Sequence, residues 1–184
     1  MKWHNEPPSW NQDEKSITVT SGLKTDFWRK THYGFIRDTG HFYYQEVTGD
    51  FIAMVKITGQ YQELYDQAGL MIREHDQTWL KSGIEFVEGV QYASTVVTRE
   101  HSDWSVVAIP ENPTSLWLEL KRRGGAVEVN YSLDGKDFTM MRLAYLTEAE
   151  TVHVGPMCAS PEREGFHVRF EDFQIRPFVG ETAG

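Results

Sequence analysis

Apolar residues in this chain recur at every second position from Ile17 to Ile175 and almost nowhere at the three-to-four-residue spacing of a helix. Alternate side chains of a strand point to opposite faces, so this pattern confines the fold to sheets with one buried face. In Phe51 to Ile57, Phe51, Ala53, Val55 and Ile57 share one face. Ala68, Leu70 and Ile72 do so in Ala68 to Arg73, and Leu80, Ser82, Ile84 and Phe86 in Thr78 to Val87. Ser115 to Lys121 turns Leu116, Leu118 and Leu120 inward and Trp117, Glu119 and Lys121 outward. The expected core is Phe51, Val55, Leu70, Ile72, Ile84, Phe86, Leu118, Leu120, Val168 and Phe170, because a one-residue slip of register would expose a strand's whole apolar set.

Gly, Asn and Asp clusters separate the strands. Tyr92 to Arg99 and Trp104 to Ile109 read as a hairpin with the four-residue loop Glu100 to Asp103, and Asp134-Gly135 as a tight turn. Thr139 to Tyr145, Val152 to Ala159 and Phe166 to Ile175 are further strands, and Leu146 to Glu150 has helical propensity for one turn only. About a dozen short strands without crossover helices fit two antiparallel sheets packed face to face. Residues 1–184 read as one all-β sandwich domain with a frayed tail at 179–184.

Composition narrows the function classes. With 18 Lys plus Arg against 27 Asp plus Glu, the net charge is −9, which opposes sequence-independent binding to nucleic acid or to a membrane surface. The one cysteine, Cys158, excludes an internal disulfide and agrees with a reducing, cytoplasmic location. Met1 to Trp10 lacks the apolar run of a signal peptide. The seven histidines have no paired ligand spacing and no Asp-x-Asp-x-Asp-Gly loop occurs, so no metal is expected. No phosphate loop, dinucleotide fingerprint or Gly-x-Ser-x-Gly elbow is present, so no cofactor is expected either.

Several runs occur together in order: Asp26-Phe27-Trp28-Arg29-Lys30, Gly49-Asp50-Phe51, Asp66-Gln67-Ala68-Gly69-Leu70-Met71, Trp79-Leu80-Lys81-Ser82-Gly83-Ile84-Glu85, Tyr131-Ser132-Leu133-Asp134-Gly135 and Phe170-Glu171-Asp172-Phe173. Over about residues 5–177 the chain resembles the concanavalin A-like lectin/glucanase superfamily and, more narrowly, the DUF1349 family, whose label also carries the phrase "regulation of enolase". The resemblance implies a jelly-roll sandwich with a flatter and a concave sheet, and glycan binding on the concave side. Hydrolases of the glucanase branch carry Glu-x-Asp-x-Glu or Glu-x-Asp-x-x-Glu on one strand, and this chain has neither pattern.

Trp79, Lys81 and Glu85 project from one strand face, and Trp117, Glu119 and Lys121 repeat the set on another. A ring beside a cation and a carboxylate suits a polar ligand: the ring supplies apolar area and the charged ends supply strong hydrogen bonds. The bland alternative is a solvated face with surface ion pairs. If both strands lie in one sheet, the sets converge on one groove, flanked by Arg73 and walled by Trp28. Three readings follow: a non-catalytic module binding a saccharide or small polar ligand, a carbohydrate-active enzyme with Glu85 and Glu119 as acid and base, and a cytosolic protein-interaction module. The absence of the glucanase motif puts the binding module first.

Overall fold

The structure, a computed structural model, describes residues 1–178. The tail expected to fray, 179–184, lies outside the described residues. Sixteen strands are present among them: β1 (Lys2–His4), β2 (Ser9–Gln12), β3 (Ser16–Thr20), β4 (Phe27–Arg29), β5 (Ile36–Asp38), β6 (His41–Thr48), β7 (Phe51–Gly59), β8 (Gln67–His75), β9 (Thr78–Val87), β10 (Val90–Arg99), β11 (His101–Ala108), β12 (Leu116–Arg123), β13 (Ala126–Ser132), β14 (Thr139–Tyr145), β15 (Thr151–Ala159) and β16 (His167–Pro177). One seven-stranded sheet runs β1-β6-β15-β8-β9-β10-β11, the other β14-β13-β12-β7-β16-β3-β2, and β4 pairs with β5 as a separate hairpin. Every pairing is antiparallel.

The inward phase read from alternation holds. Phe51, Val55, Leu70, Ile72, Leu118, Leu120, Val168 and Phe170 share the apolar cluster between the sheets. Ile84 joins Ala93, Ile109 and Leu116 in an adjoining cluster. Phe86 is only half-buried, stacked on Tyr61 near the end of β9. Cys158 lies in the main core, where burial pushes its thiol up, away from the reactive thiolate form.

Two local expectations are corrected. Glu100 to Asp103 is not a four-residue loop: Arg99 pairs directly with His101, and Glu100 alone turns the chain with a φ of 66°. The polar residues that suggested a loop are strand residues, and Ser102 is buried because its hydroxyl meets Thr98 and accepts a bond from the Arg29 amide. Leu146 to Glu150 forms no helical turn. It is an extended link held by Arg122, which donates to the Ala149 carbonyl, and by Thr147, which donates to Glu74. No helix among the described residues is long and apolar enough to cross a membrane.

A second apolar cluster positions the site. Phe42, Met71, Trp79, Val96 and Met157 stand on the outer face of the first sheet, and the β4-β5 hairpin lays Phe27 and Trp28 over them. The Phe27 ring meets Trp79 edge-on at 6.2 Å. This hairpin roofs part of a face that would otherwise present large apolar side chains to water.

Candidate functional site

Lys81 and Glu85 stand two positions either side of Gly83 on the outer face of β9. Gly83 faces Gly69 of β8, and a Cβ on Gly83 would lie 2.0 Å from the Ala68 carbonyl oxygen. With no side chain between Lys81 and Glu85, the sheet keeps a notch of about 10 Å³ lined by Gln67, Lys81, Glu85 and Ser94.

Above the notch opens a cavity of about 250 Å³. Its aromatic wall is a belt of neighbouring rings. Trp28 meets Tyr33 edge-on at 5.7 Å, Tyr33 stacks on Phe35 at 5.4 Å, the Tyr33 and Tyr65 hydroxyls are 3.1 Å apart, and Tyr65 meets Trp104 edge-on at 6.3 Å. Tyr33 reaches the cavity because the chain reverses sharply after β4, with positive φ at Lys30, His32 and Gly34. Its hydrogen bond to Tyr65, with burial second, raises the Tyr65 phenol to about 12, so that phenol is neutral at physiological pH.

The floor is polar. Lys81 Nζ donates to the Phe27 carbonyl at 2.8 Å and to Gln67 Oε1 at 2.5 Å, and lies 3.5 Å from Asp26 Oδ1. Gln67 in turn donates to Asp26 and to the Tyr65 carbonyl. Glu85 Oε2 accepts from the Ser94 hydroxyl at 2.7 Å and from Trp104 Nε1 at 2.8 Å. Burial raises the Glu85 pKa, opposed by the charge of Lys81 and by those donors. Among the described residues no group of three His, Cys, Asp or Glu side chains is placed to hold a metal ion.

The two Trp/Lys/Glu sets do not converge. Trp79, Lys81 and Glu85 belong to the first sheet and Trp117, Glu119 and Lys121 to the second, and each set points away from the shared core. They therefore occupy opposite outer faces of the sandwich. Glu85 and Glu119 consequently cannot flank one bond as acid and base. The second set forms a surface network: Lys121 bridges Glu119 at 3.1 Å and Glu128 at 3.2 Å, and Lys56 lies over the Trp117 ring. Trp79 is 1% exposed beneath Phe27, so it is a packing residue and not an open platform. The outward phase was read correctly, but the hairpin covers that part of the face.

Arg73, expected to flank the groove, instead clamps Asp38 of the hairpin at 2.6 and 2.9 Å. Burial raises the Asp38 pKa, but the two Arg73 bonds, with His4 3.4 Å away, outweigh it and hold the carboxyl at about 2. A depressed carboxylate pKa contributes stability above the unfolded value and loses it as pH falls through the folded one. Denaturation midpoints should thus fall between about pH 4 and 2, with about 1 to 2 kcal/mol from this pair after discounting for solvent screening. An Arg73→Met variant showing the same loss over that window would remove the clamp from the account.

Of the residues picked out in advance, Trp28, Lys81 and Glu85 line the cavity, while Arg73, Trp79, Trp117, Glu119 and Lys121 do not. Asp26, Tyr33, Phe35, Tyr65, Gln67, Trp104, Pro161 and Glu162 were missed. Trp104 carried a usable signal, an aromatic residue in a polar stretch, whereas the loop residues carried none.

Fold and site together define a two-sheet β-sandwich with a hairpin-roofed, aromatic-walled cavity on one outer face. Residues 3–178 match the family described as "Protein of unknown function (DUF1349)", and the chain belongs to that family. It is 40% identical over 180 residues to "Regulation of enolase protein 1" of Saccharomyces cerevisiae, covering 98% of this chain and 91% of the relative. A crystal structure of a functionally unknown Saccharomyces cerevisiae protein superposes with a TM-score of 0.94 at 40% identity over 97% of both chains. At identities that carry the fold alone, the chain is similar to a legume lectin-like domain from Entamoeba histolytica, with TM-score 0.63, 10% identity, and 97% and 90% coverage. It is likewise similar to Bacteroides ovatus Xyloglucan PUL GH43B, with TM-score 0.69 and 17% identity, over 92% of this chain but 34% of that one.

Proposed function

We propose that this protein is a non-catalytic module that holds a saccharide or another small polar ligand in the cavity between Trp28 and Trp104. The observation supporting this reading is the pairing of an aromatic belt with a polar floor of Gln67, Lys81 and Glu85 in a cavity of about 250 Å³. Concave sites of this make-up take ligands whose apolar faces stack on rings while their hydroxyls meet fixed polar groups. Preset donors and acceptors lower the ordering cost of binding, and here the floor side chains are already tied to one another.

A thermal-shift panel of monosaccharides, oligosaccharides and sugar phosphates tests this, since a ligand specific for the folded state raises the melting temperature by mass action. Trp104→Ala should abolish the shift of any hit, while Trp117→Ala, on the opposite face, should preserve it. A shift that survives Trp104→Ala would count against the cavity as the binding site, and a panel with no hit would count against a saccharide as its ligand.

A further inference from the structure

Resting on that reading, we propose that the ligand of this cavity carries an organic ammonium group, seated against the aromatic belt and the second oxygen of Glu85. The charges lining the cavity are Asp26, Glu85 and Glu162 against Lys81 alone. Lys81 is already engaged: it donates to the Phe27 carbonyl and to Gln67 Oε1, and its charge faces Asp26 Oδ1 at 3.5 Å. Asp26 offsets the lysine's charge at close range, which leaves a weak seat for a phosphate or carboxylate.

Glu85 is the reverse case. Its side chain is on a residue only 7% exposed, and Oε2 takes both donors, Ser94 and Trp104. Oε1 has no hydrogen-bond partner among the described residues, and it is not among the sealed, unpartnered polar atoms. It is therefore not sealed off, and the openings beside it are the notch and the cavity that Glu85 lines. A carboxylate taken out of water with half its acceptor capacity unmet is costly, and a cation is the partner that meets it best.

The rings point to the same ligand class. The negative π faces of Trp and Tyr attract a cation, most strongly where water is excluded, and a cluster of rings around a carboxylate is suited to an ammonium head. Trp104 is held in place for this by its own bond to Glu85 Oε2. An anionic ligand would meet Glu85 and Glu162, and the one cation among the described lining residues, Lys81, is already offset by Asp26. A neutral sugar could stack on the belt but would gain nothing from the cavity's surplus negative charge.

Titration calorimetry on the full chain with five probes decides the matter: choline, its neutral isostere 3,3-dimethylbutan-1-ol, glucosamine, glucose and glucose 6-phosphate. The expected result is that at least one ammonium probe binds about tenfold or more tightly than its neutral counterpart. Choline over the alcohol assigns a quaternary ammonium, and glucosamine over glucose assigns an amino sugar. Glu85→Gln should erase that difference, and the wild-type comparison stands alone if the variant does not fold. Equal binding within both pairs, or preference for glucose 6-phosphate, overturns the ammonium assignment. If the neutral sugar's binding is then lost on Trp104→Ala, the cavity reading survives that failure. No binding by any probe overturns the ammonium assignment, and a silent saccharide panel would remove the saccharide reading with it.

Discussion

Replacing Trp79 with alanine should destabilise the protein by about 3 to 5 kcal/mol, the range for deleting a large buried aromatic side chain. Trp79 is 1% exposed and packs in a cluster with Phe27, Phe42, Met71 and Met157. Its indole N–H donates to the Asp76 carbonyl, so truncation also strands a backbone acceptor. Had this ring been an open platform, the same change would have spared stability and struck only binding. Urea denaturation of the variant distinguishes the two: a loss below about 1 kcal/mol would mean that the hairpin does not cover the ring in solution.

Lys81→Met should cost about 1 to 3 kcal/mol, because it leaves buried acceptors without their donor and Asp26 without its counter-charge. Here the stranded groups are the Asp26 carboxylate, Gln67 Oε1 and the Phe27 carbonyl. The last belongs to β4, so the loss should concentrate in the hairpin. Amide exchange of residues 27–38 should accelerate more than that of β7 or β12, whose neighbours are untouched. Uniform acceleration, or a stability change within the ~0.5 kcal/mol typical of surface sites, would show that the lysine does not latch hairpin to sheet.

How much of this could be read from sequence follows from what alternation reports. Alternation tells which face of its own strand a residue occupies, and it placed Ile84 and Leu118 inward and Glu85 and Glu119 outward as observed. It does not tell which strands are neighbours. β9 and β12 each carry an outward Trp, Lys and Glu, yet β12 pairs with β7 in the second sheet, through contacts distant in sequence. Nor does it tell what lies over an outward face. Trp79 is outward and still buried, because a three-residue strand at Phe27–Arg29 folds back on it. Tyr33, Phe35 and Tyr65 come from turns without periodicity, so nothing local marks them as cavity walls. The family resemblance fixed the sandwich and left those walls unassigned, since they depend on the hairpin.

The first sheet has apolar matter on both its faces, in two clusters separated by the sheet itself: one between the sheets, the other beneath the hairpin. The two clusters share no side chain, so a change in one touches the other only through the backbone of the sheet between them. On the binding reading proposed above, the chain can vary what it recognises while the inter-sheet core continues to carry the fold. Relatives that keep the inter-sheet residues but differ in the segment 26–38 should share this backbone and differ in ligand, and grafting that segment between them should move the preference with it.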